Sequence, residues 1–366
     1  MTQDRDRGVI SSTLIVGPDA FDRFGTVLRR LLIGLVEHPV QLRVVSWDPR
    51  VDELQLGPIQ TLRRLPLTGP FHRRRIRQLS EILSPPSNIV HALTAECFRP
   101  AFELAELLDA DLVLQISSLD DCDHAESTPI SRQAGIIAMT RPLAQRVEQS
   151  RRVPSDRIQL VRPGVLVSRP SAIFAPPVEY PSMVCSAPFD PRGGVESVLE
   201  ALVILKRRGN PVLVFLLGDG EFETGLRRFV RTHDLSAWVT FAQIRGDLSP
   251  AVQTADLFVE PSHEGTLRFD TFEAMAAGVA VVAFPNPVSD HFFDGRTALV
   301  CPSTKSEALA NCIERLLTDA ALGQALATGG LDYVRAHHTV TEMAQGVVDL
   351  YRKLAMAQAT FSFGDA

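Results

Sequence analysis

Glycines, arginines and a glutamate in the second half of the chain form a pattern that could bind a phosphate-bearing ligand. Gly193-Gly194 and Gly265-Thr266 each precede a predicted helix, where backbone N–H groups and the helix dipole favour an anion. Arg192 and Arg268 lie beside these turns, and a planar guanidinium matches phosphate oxygens. Glu273 lies on one of the helices, where a carboxylate can accept hydrogen bonds from ligand hydroxyl groups.

The elements that must position these residues are predicted by a repeating pattern. Short apolar runs alternate with longer amphipathic stretches, which is typical of parallel sheets with helices on both faces. In the first half, the predicted strands are Leu14–Val16, Leu42–Trp47, Asn88–His91, Leu112–Ile116, Gly135–Met139 and Ile158–Val161, and the first predicted helix is Phe24–Glu37. In the second half, they are Met183–Ser186, Val212–Leu217, Val239–Phe241, Ala255–Val259 and Val279–Phe284, with helices Val195–Arg207, Glu223–Thr232, Thr271–Ala277, Ser306–Leu317, Ala320–Ala336 and Thr341–Ala357.

A proline-rich stretch separates the two runs of alternation and indicates a linker over residues 167–181. The prediction is an α/β protein with two doubly wound domains, residues 1–166 and 182–342, followed by a helical segment and tail over 343–366. Ligands of such sheets bind beyond the carboxyl ends of the strands. The cleft between the two domains is therefore the expected site.

Composition limits the function classes. The chain has 366 residues and a net charge of −6, which does not suggest a nucleic-acid-binding protein. Its five cysteines are scattered without a C-x-x-C pair, which argues against a disulfide framework and a zinc site. No apolar signal segment follows Met1, so we expect a cytoplasmic protein. Of 37 basic residues only three are lysine, so a site that commonly uses lysine must use arginine here.

Six segments of the second half follow one another over about 110 residues: Gly193–Ala201, Leu217–Glu221, Ala255–Val259, Pro261–Gly265, Glu273–Gly278 and Asp294–Val300. In this order and spacing they resemble the donor-binding domain of glycosyltransferase family 4, retaining enzymes with the GT-B fold. Asn88–His91, Ile136–Thr140 and Arg157–Val165 resemble the N-terminal domain of the family more faintly.

The resemblance implies two Rossmann-like domains facing a central cleft, with the nucleotide-sugar on the C-terminal domain and the acceptor on the N-terminal domain. It places Glu264 at the donor sugar as the catalytic residue, Glu273 at the ribose, and Arg192 with Gly193 and Gly194 at the diphosphate. The remaining donor-binding positions that it implies are Gln243 and Ile244 near the base and the turn Gly265, Thr266, Leu267 and Arg268. It also implies that no metal or other cofactor is bound and that the helix Met343–Ala357 crosses back to the N-terminal domain.

The spacing of the two glutamates departs from that family. Eight residues separate Glu264 from Glu273, where the family has seven. At about 100° per residue, nine steps along one helix would place the two side chains on opposite sides. We expect either a bulge near Gly265–Leu267 that absorbs the extra residue, or a Glu264 side chain that is only solvated.

Other family positions are also altered. The arginine and lysine that hold the diphosphate in the family align with Ala187 or Pro188 and with Gly193, which leaves Arg192 and Arg268 as candidates. Ser117 follows the strand where many members carry a histidine, and serine cannot replace a histidine as a base at neutral pH. Gly17 stands alone where a glycine pair is usual. We assign Gly17 and Ser117 to the acceptor side of the cleft.

The N-terminal domain carries a local excess of positive charge. Between Arg23 and Arg77 there are eleven arginines and four acidic residues. Arg73–Arg77 forms the start of a basic amphipathic helix, of the kind that can lie on an anionic membrane surface. A solvated helix face is the alternative. A peripheral contact with the inner face of the membrane would suit a polysaccharide or lipid-linked glycan acceptor, which the sequence does not identify.

Two functions remain open from the sequence. The first is a nucleotide-sugar-dependent hexosyltransferase that retains the configuration of the transferred sugar. The second is a GT-B scaffold that has lost donor chemistry and acts as a binding or assembly protein, which the altered positions favour. A third hypothesis is a sugar-nucleotide epimerase, but the segment Pro261–Gly278 resembles the transferases and argues against it.

Overall fold

Two parallel sheets, each in its own compact unit, contain the strands of this protein. The structure, a computed structural model, describes residues 10–54, 56–129, 134–167, 180–191, 193–243 and 249–362. One unit comprises Met1–Gly164 together with Val340–Ala366, and the other comprises Val165–Thr339. The final helix therefore belongs to the same unit as the N-terminal sheet.

Unit 1 is built on seven parallel strands in the order β3-β2-β1-β4-β5-β6-β7. The strands are β1 Ile10–Val16, β2 Val40–Ser46, β3 Gln60–Arg63, β4 Ile89–Ala92, β5 Asp111–Ile116, β6 Gly135–Ala138 and β7 Ile158–Leu160. The helices are α1 Pro18–Phe24, α2 Thr26–Val36, α3 His72–Ile82, α4 Ala95–Leu108, α5 Leu119–Ser127, α6 Arg141–Ser150 and, from the end of the chain, α13 Val340–Ser362.

Unit 2 has six parallel strands in the order β10-β9-β8-β11-β12-β13. The strands are β8 Ser182–Ser186, β9 Leu213–Leu217, β10 Val239–Ala242, β11 Leu257–Glu260, β12 Ala280–Ala283 and β13 Leu299–Val300. The helices are α7 Val195–Arg207, α8 Glu223–Thr232, α9 Ser249–Gln253, α10 Asp270–Ala276, α11 Ser306–Thr318 and α12 Ala320–His337.

The central strands are buried because helices cover both faces of each sheet. Every residue of β1, β4 and β5 is buried, and so is every residue of β11 and β12. Buried strands of this kind show continuous apolar runs rather than alternation. The two doubly wound sheets predicted from those runs are confirmed.

The C-terminal helix is fixed to the first sheet by a buried polar contact. The hydroxyl group of Tyr351 on α13 lies 2.7 Å from Nδ1 of His91 on β4 and accepts a hydrogen bond from Ser12 on β1 at 3.3 Å. Burial lowers the pKa of His91 to about 3, so this imidazole is neutral at physiological pH. His91 therefore serves to hold α13 against the sheet.

Several element predictions needed correction. The helix predicted over Phe24–Glu37 is two helices, because Gly25 adopts a left-handed φ of 48° between α1 and α2. The short strands β3 and β13 were not predicted, since their runs are too short to show a period. Most of the predicted linker, residues 168–179, lies outside the described residues.

Each sheet reverses its strand order once. In unit 1 the reversal lies between β1 and β4, and in unit 2 it lies between β8 and β11. At such a switch point the loops that follow the two adjacent strands diverge to opposite faces and leave a crevice, which is where open α/β sheets bind ligands. The two switch points are therefore the places where we expect ligands to bind.

No helix within the described ranges is long and apolar enough to cross a membrane.

Candidate functional site

The switch point of unit 2 brings together two loops that contain most of the predicted site residues. Val259 of β11 is paired with Cys185 of β8, so the strands end side by side at Ser186 and Glu260. Residues 187–194 connect β8 to α7, and residues 261–269 connect β11 to α10. The predicted diphosphate and sugar positions therefore start from neighbouring strand ends.

Glycines allow these loops to pack backbone against backbone. Gly194 has a left-handed φ of 68°, and a Cβ atom there would lie 2.3 Å from the carbonyl oxygen of Pro261. A Cβ atom at Gly193 would lie 1.9 Å from the carbonyl oxygen of Pro188. Such distances exclude any side chain without a backbone shift. Gly218, after β9, has a similar restriction, at 2.1 Å from the carbonyl oxygen of Ala187.

Arg268 is connected to the end of β8 through one carboxylate. Its Nη2 lies 3.1 Å from Oδ2 of Asp270, and the same oxygen accepts a hydrogen bond from the hydroxyl group of Ser186 at 2.6 Å. Both charged side chains are mostly covered, with 16% and 21% exposed. Nε of Arg268 is buried and has no hydrogen-bond partner among the described residues.

A second carboxylate lies fully buried beneath this loop. Oε1 of Glu260 accepts the backbone N–H of Ser262 at 3.0 Å, and Oε2 accepts the hydroxyl group of Thr271 at 2.8 Å. Burial raises the pKa of Glu260, and the charge of Arg268 opposes that shift. Glu260 therefore fixes both ends of the segment 261–270 to β11.

Glu264 and Glu273 do not lie on one helix. Helix α10 begins at Asp270, so Glu264 lies in the preceding loop and the angular offset between two helical positions does not apply. Within this loop Gly265 adopts a left-handed φ of 77°, a conformation that permits the bulge expected near Gly265–Leu267. The side chain of Glu264 is exposed, whereas Glu273 lies on α10 with only 5% of its surface exposed.

Of the other predicted donor residues, some are already bonded or buried, one is exposed, and two are not described. The backbone N–H of Gly193 already donates to the carbonyl oxygen and to Oδ1 of Asp190, at 3.1 and 3.0 Å. The carbonyl oxygen of Thr266 accepts Nδ2 of Asn286 at 3.0 Å, and Leu267 is a buried core residue. Gln243 is exposed just after β10, while Arg192 and Ile244 lie outside the described residues.

The switch point of unit 1 contains Gly17, one of the two predicted acceptor-side residues. Gly17 is the last residue before α1, and a Cβ atom there would lie 2.1 Å from Oε1 of Glu96. That oxygen accepts the backbone N–H of Asp19 at 2.9 Å. Burial raises the pKa of Glu96. Gly17 therefore makes room for a half-buried carboxylate between β1 and β4.

The environment of Ser117, the other predicted acceptor-side residue, is a closed polar cluster. Its hydroxyl group accepts a hydrogen bond from Nη2 of Arg23 at 2.5 Å and donates to Oδ2 of Asp121 at 3.0 Å. Arg23 and Asp121 also pair directly at 2.8 Å, and Ser117 is fully buried. Because both functions of the hydroxyl group are used, Ser117 does not present a free group to a ligand. The exposed imidazole of His124 lies elsewhere, on α5.

Four of these groups were missed by the sequence reasoning. Ser186 was predicted only as the end of a strand, and Glu260, Asp270 and Glu96 were not considered. The spacing of Asp270, two residues after an arginine and next to a helix start, is the one local signal that could have been used. The partners Ser186 and Glu96 come from distant segments, which only the sheet topology brings close.

Comparison with known proteins agrees with this geometry. Residues 180–319 match the family described as glycosyl transferases group 1. The chain is 25% identical over 260 residues to the lipopolysaccharide core biosynthesis glycosyltransferase LpsE of Rhizobium meliloti (strain 1021), covering 70% of each protein.

Solved structures share the fold at lower identity. The sucrose-phosphate synthase of Thermosynechococcus elongatus superposes with a TM-score of 0.77 at 19% identity, over 95% of this chain and 100% of that one. HepE of Anabaena, solved in complex with UDP and glucose, gives a TM-score of 0.74 at 14% identity, over 93% of this chain and 98% of that one. Together with the two doubly wound sheets, these superpositions show that the chain has the GT-B fold.

The close contact between the two loops of unit 2 can be tested by Gly194→Ala. We expect this change to destabilise unit 2 by at least about 2 kcal/mol, since alanine is strained at positive φ and its methyl group would meet Pro261. Urea unfolding followed by the fluorescence of Trp238, in a Trp47→Phe background, reports on this unit.

The matched control is Gly225→Ala on α8, where a Cβ atom would meet no atom within 4 Å. This change should be neutral or stabilise the protein by about 0.5–1 kcal/mol. Equal unfolding midpoints for the two variants would show that the loops are not held in contact at Gly194.

Proposed function

We propose that this protein transfers a hexose from a nucleotide-sugar to an acceptor, with retention of configuration, and that the donor binds at the β8/β11 switch point. The observation that carries the proposal is the contact between two glycine-containing loops at this point, with the Arg268 guanidinium on one of them. Glu273 is buried in the first turn of α10, the helix that follows this loop. Backbone N–H groups and a guanidinium suit a diphosphate, and a carboxylate suits ribose hydroxyl groups. The family match over residues 180–319 supports a transferase.

Each part of the donor has its own contact residues in this proposal. Arg268, with the loop at Gly193–Gly194, binds the diphosphate, and Arg192 adds a second cation. Glu273 accepts hydrogen bonds from the ribose. Glu264, which is exposed in the loop after β11, contacts the donor sugar. The loop after β10, at Gln243–Ile244, meets the base.

The chemistry needs little from other side chains. The bond between the anomeric carbon and the diphosphate oxygen breaks, and the nucleoside diphosphate leaves with the electron pair. The acceptor hydroxyl oxygen forms the new bond to the anomeric carbon, and its proton passes to the oxygen of the leaving diphosphate. Cationic and N–H donors that stabilise the leaving diphosphate lower the barrier to this step. No step requires a metal ion or another cofactor, and none requires Ser117.

The alternative function is a scaffold without donor chemistry. It is favoured by one specific contact, because the Gly193 N–H is already satisfied by Asp190 and must exchange partners before it can bind a diphosphate. A scaffold of this kind would bind no nucleoside diphosphate, so the binding experiment below separates the two functions.

The acceptor side of the proposal concerns unit 1. Arg73, Arg74 and Arg77 are exposed on α3, and within the described ranges none of them forms an ion pair. Phe71, at the start of this helix, is 77% exposed. A groove of about 620 Å³ between α3 and α4 is lined by the arginines at 73, 77 and 99, by two glutamates at 103 and 106, and by apolar side chains that include Ile76, Phe102 and Leu107. We infer a peripheral contact with an anionic membrane surface, which suits a lipid-linked acceptor.

Nucleotide binding tests the donor site. Titration of the purified protein with UDP and GDP should show binding of at least one of them at sub-millimolar concentration. Glu273→Gln should weaken that binding about tenfold, because a hydrogen bond to a charged group contributes roughly 1.5–3 kcal/mol. Isothermal calorimetry measures both.

The control for this titration is Asp256→Asn, which alters a carboxylate at the opposite edge of the same sheet, where Asp256 accepts Ser182. Its affinity should equal that of the unaltered protein. Absence of binding of both nucleotides near millimolar concentration would contradict the transferase, and unchanged affinity in Glu273→Gln would contradict the role of Glu273.

Vesicle binding tests the basic helix. The double variant Arg73→Glu/Arg77→Glu should lose most sedimentation with phosphatidylglycerol vesicles, because each basic residue near an anionic surface contributes about 1 kcal/mol. Arg228→Glu/Arg231→Glu on α8 makes the same change of charge on another exposed helix and should sediment like the unaltered protein. Equal loss in both variants would indicate attraction by overall charge rather than by α3.

A further inference from the structure

Arg268 has more hydrogen-bond donors than its surroundings use. A guanidinium carries five N–H donors. Among the described residues, Asp270 accepts from Nη2, and Nε is buried without an acceptor. A buried donor without an acceptor is costly and is uncommon in native proteins. The position thus calls for an additional acceptor beside Nε.

The neighbouring carboxylate does not fill that need. Both oxygens of Glu260 are occupied, one by the Ser262 N–H and the other by the Thr271 hydroxyl group. Glu260 attracts Arg268 through its charge, yet no hydrogen bond joins them. Protein groups thus hold the guanidinium through Nη2 and leave Nε without an acceptor among the described residues.

The guanidinium is held at a defined place in the sheet. Oδ2 of Asp270 accepts both the Arg268 Nη2 and the Ser186 hydroxyl group, at 3.1 and 2.6 Å. Ser186 is the last residue of β8, which pairs with β11 at the switch point. Three side chains from β8, the loop and the start of α10 thus form one connected chain that ends in the cation.

We propose that Ser186 and Asp270 are positioning residues that hold the Arg268 guanidinium at the β8/β11 switch point, where its unused donors bind the diphosphate of the nucleotide-sugar. This inference rests on the proposed function and extends it. The negative charges of Asp270 and Glu260 weaken the attraction of this site for an anion. In return, the hydrogen bond to Asp270 fixes the orientation of the guanidinium. A misplaced arginine would then bind a phosphate weakly.

A charge-conserving variant tests the arrangement. Asp270→Asn would remove a negative charge close to the phosphates and strengthen anion binding for that reason alone, which would obscure a loss of positioning. Ser186→Ala changes no charge and removes only the group that fixes Asp270. Ser182→Ala is the matched control, because Ser182 makes the same hydrogen bond, at 2.8 Å to Asp256, at the opposite end of β8.

The probes are UDP, GDP and their nucleosides uridine and guanosine. Nucleotides are titrated by calorimetry and nucleosides by ligand-observed NMR. Ser186→Ala should weaken binding of the preferred nucleoside diphosphate about three- to tenfold, the size expected from disturbing one charge-assisted hydrogen bond. Arg268→Gln should weaken it by tenfold or more. Nucleoside affinity should change less than twofold in both, which a general loss of structure would not produce.

The outcomes separate this inference from the proposed function. If the unaltered protein binds neither nucleoside diphosphate, the proposed function fails and the positioning role fails with it. If it binds one of them and Ser186→Ala matches Ser182→Ala, the positioning role is overturned while the donor site stands. Equal losses for nucleotide and nucleoside in Ser186→Ala would also overturn it, because they would show that the change does not act on the diphosphate.

Discussion

The parallel pairing of β8 with β11 is the constraint on which the site in unit 2 depends. It places Ser186 beside Glu260, so the loops after these strands begin as neighbours. Glycine at position 194 then allows one loop to touch the backbone of the other at Pro261. Asp270 completes the arrangement by linking the start of α10 to the end of β8. Side chains that are far apart in sequence share one site for this reason.

Unit 1 has the same kind of strand-order reversal, but most of the polar groups near it are already paired with one another. Its switch point between β1 and β4 holds Glu96 against Gly17, and the adjacent cluster of Arg23, Ser117 and Asp121 satisfies most of its own polar atoms. A closed cluster of that kind stabilises the loops that follow the strands, and it leaves few polar side chains free to bind a ligand. Helix α3 carries three exposed arginines that form no ion pair with the described residues, and the acceptor proposal rests on them.

Much of the fold could be predicted from the sequence because buried parallel strands have an apolar pattern that is local. Helices α7 and α8 begin and end where the amphipathic pattern predicted, and the two doubly wound sheets were predicted from the βα alternation. The site was predictable only in part. Glu273 and Arg268 were found from spacing, whereas the link from Arg268 to Ser186 joins segments 82 positions apart and has no sequence pattern. Glu264 lies in the loop before α10, so the angular argument for two positions on one helix does not apply to it.

The central claim is that a nucleoside diphosphate binds at the β8/β11 switch point of unit 2. Hydrogen–deuterium exchange with and without saturating UDP or GDP measures this directly, peptide by peptide, on the unaltered full chain. The account predicts slower exchange in peptides covering residues 187–194 and 261–270, and unchanged exchange around residues 17–24 and 117–121. Protection confined to the peptides of unit 1, or spread evenly over both units, would contradict it.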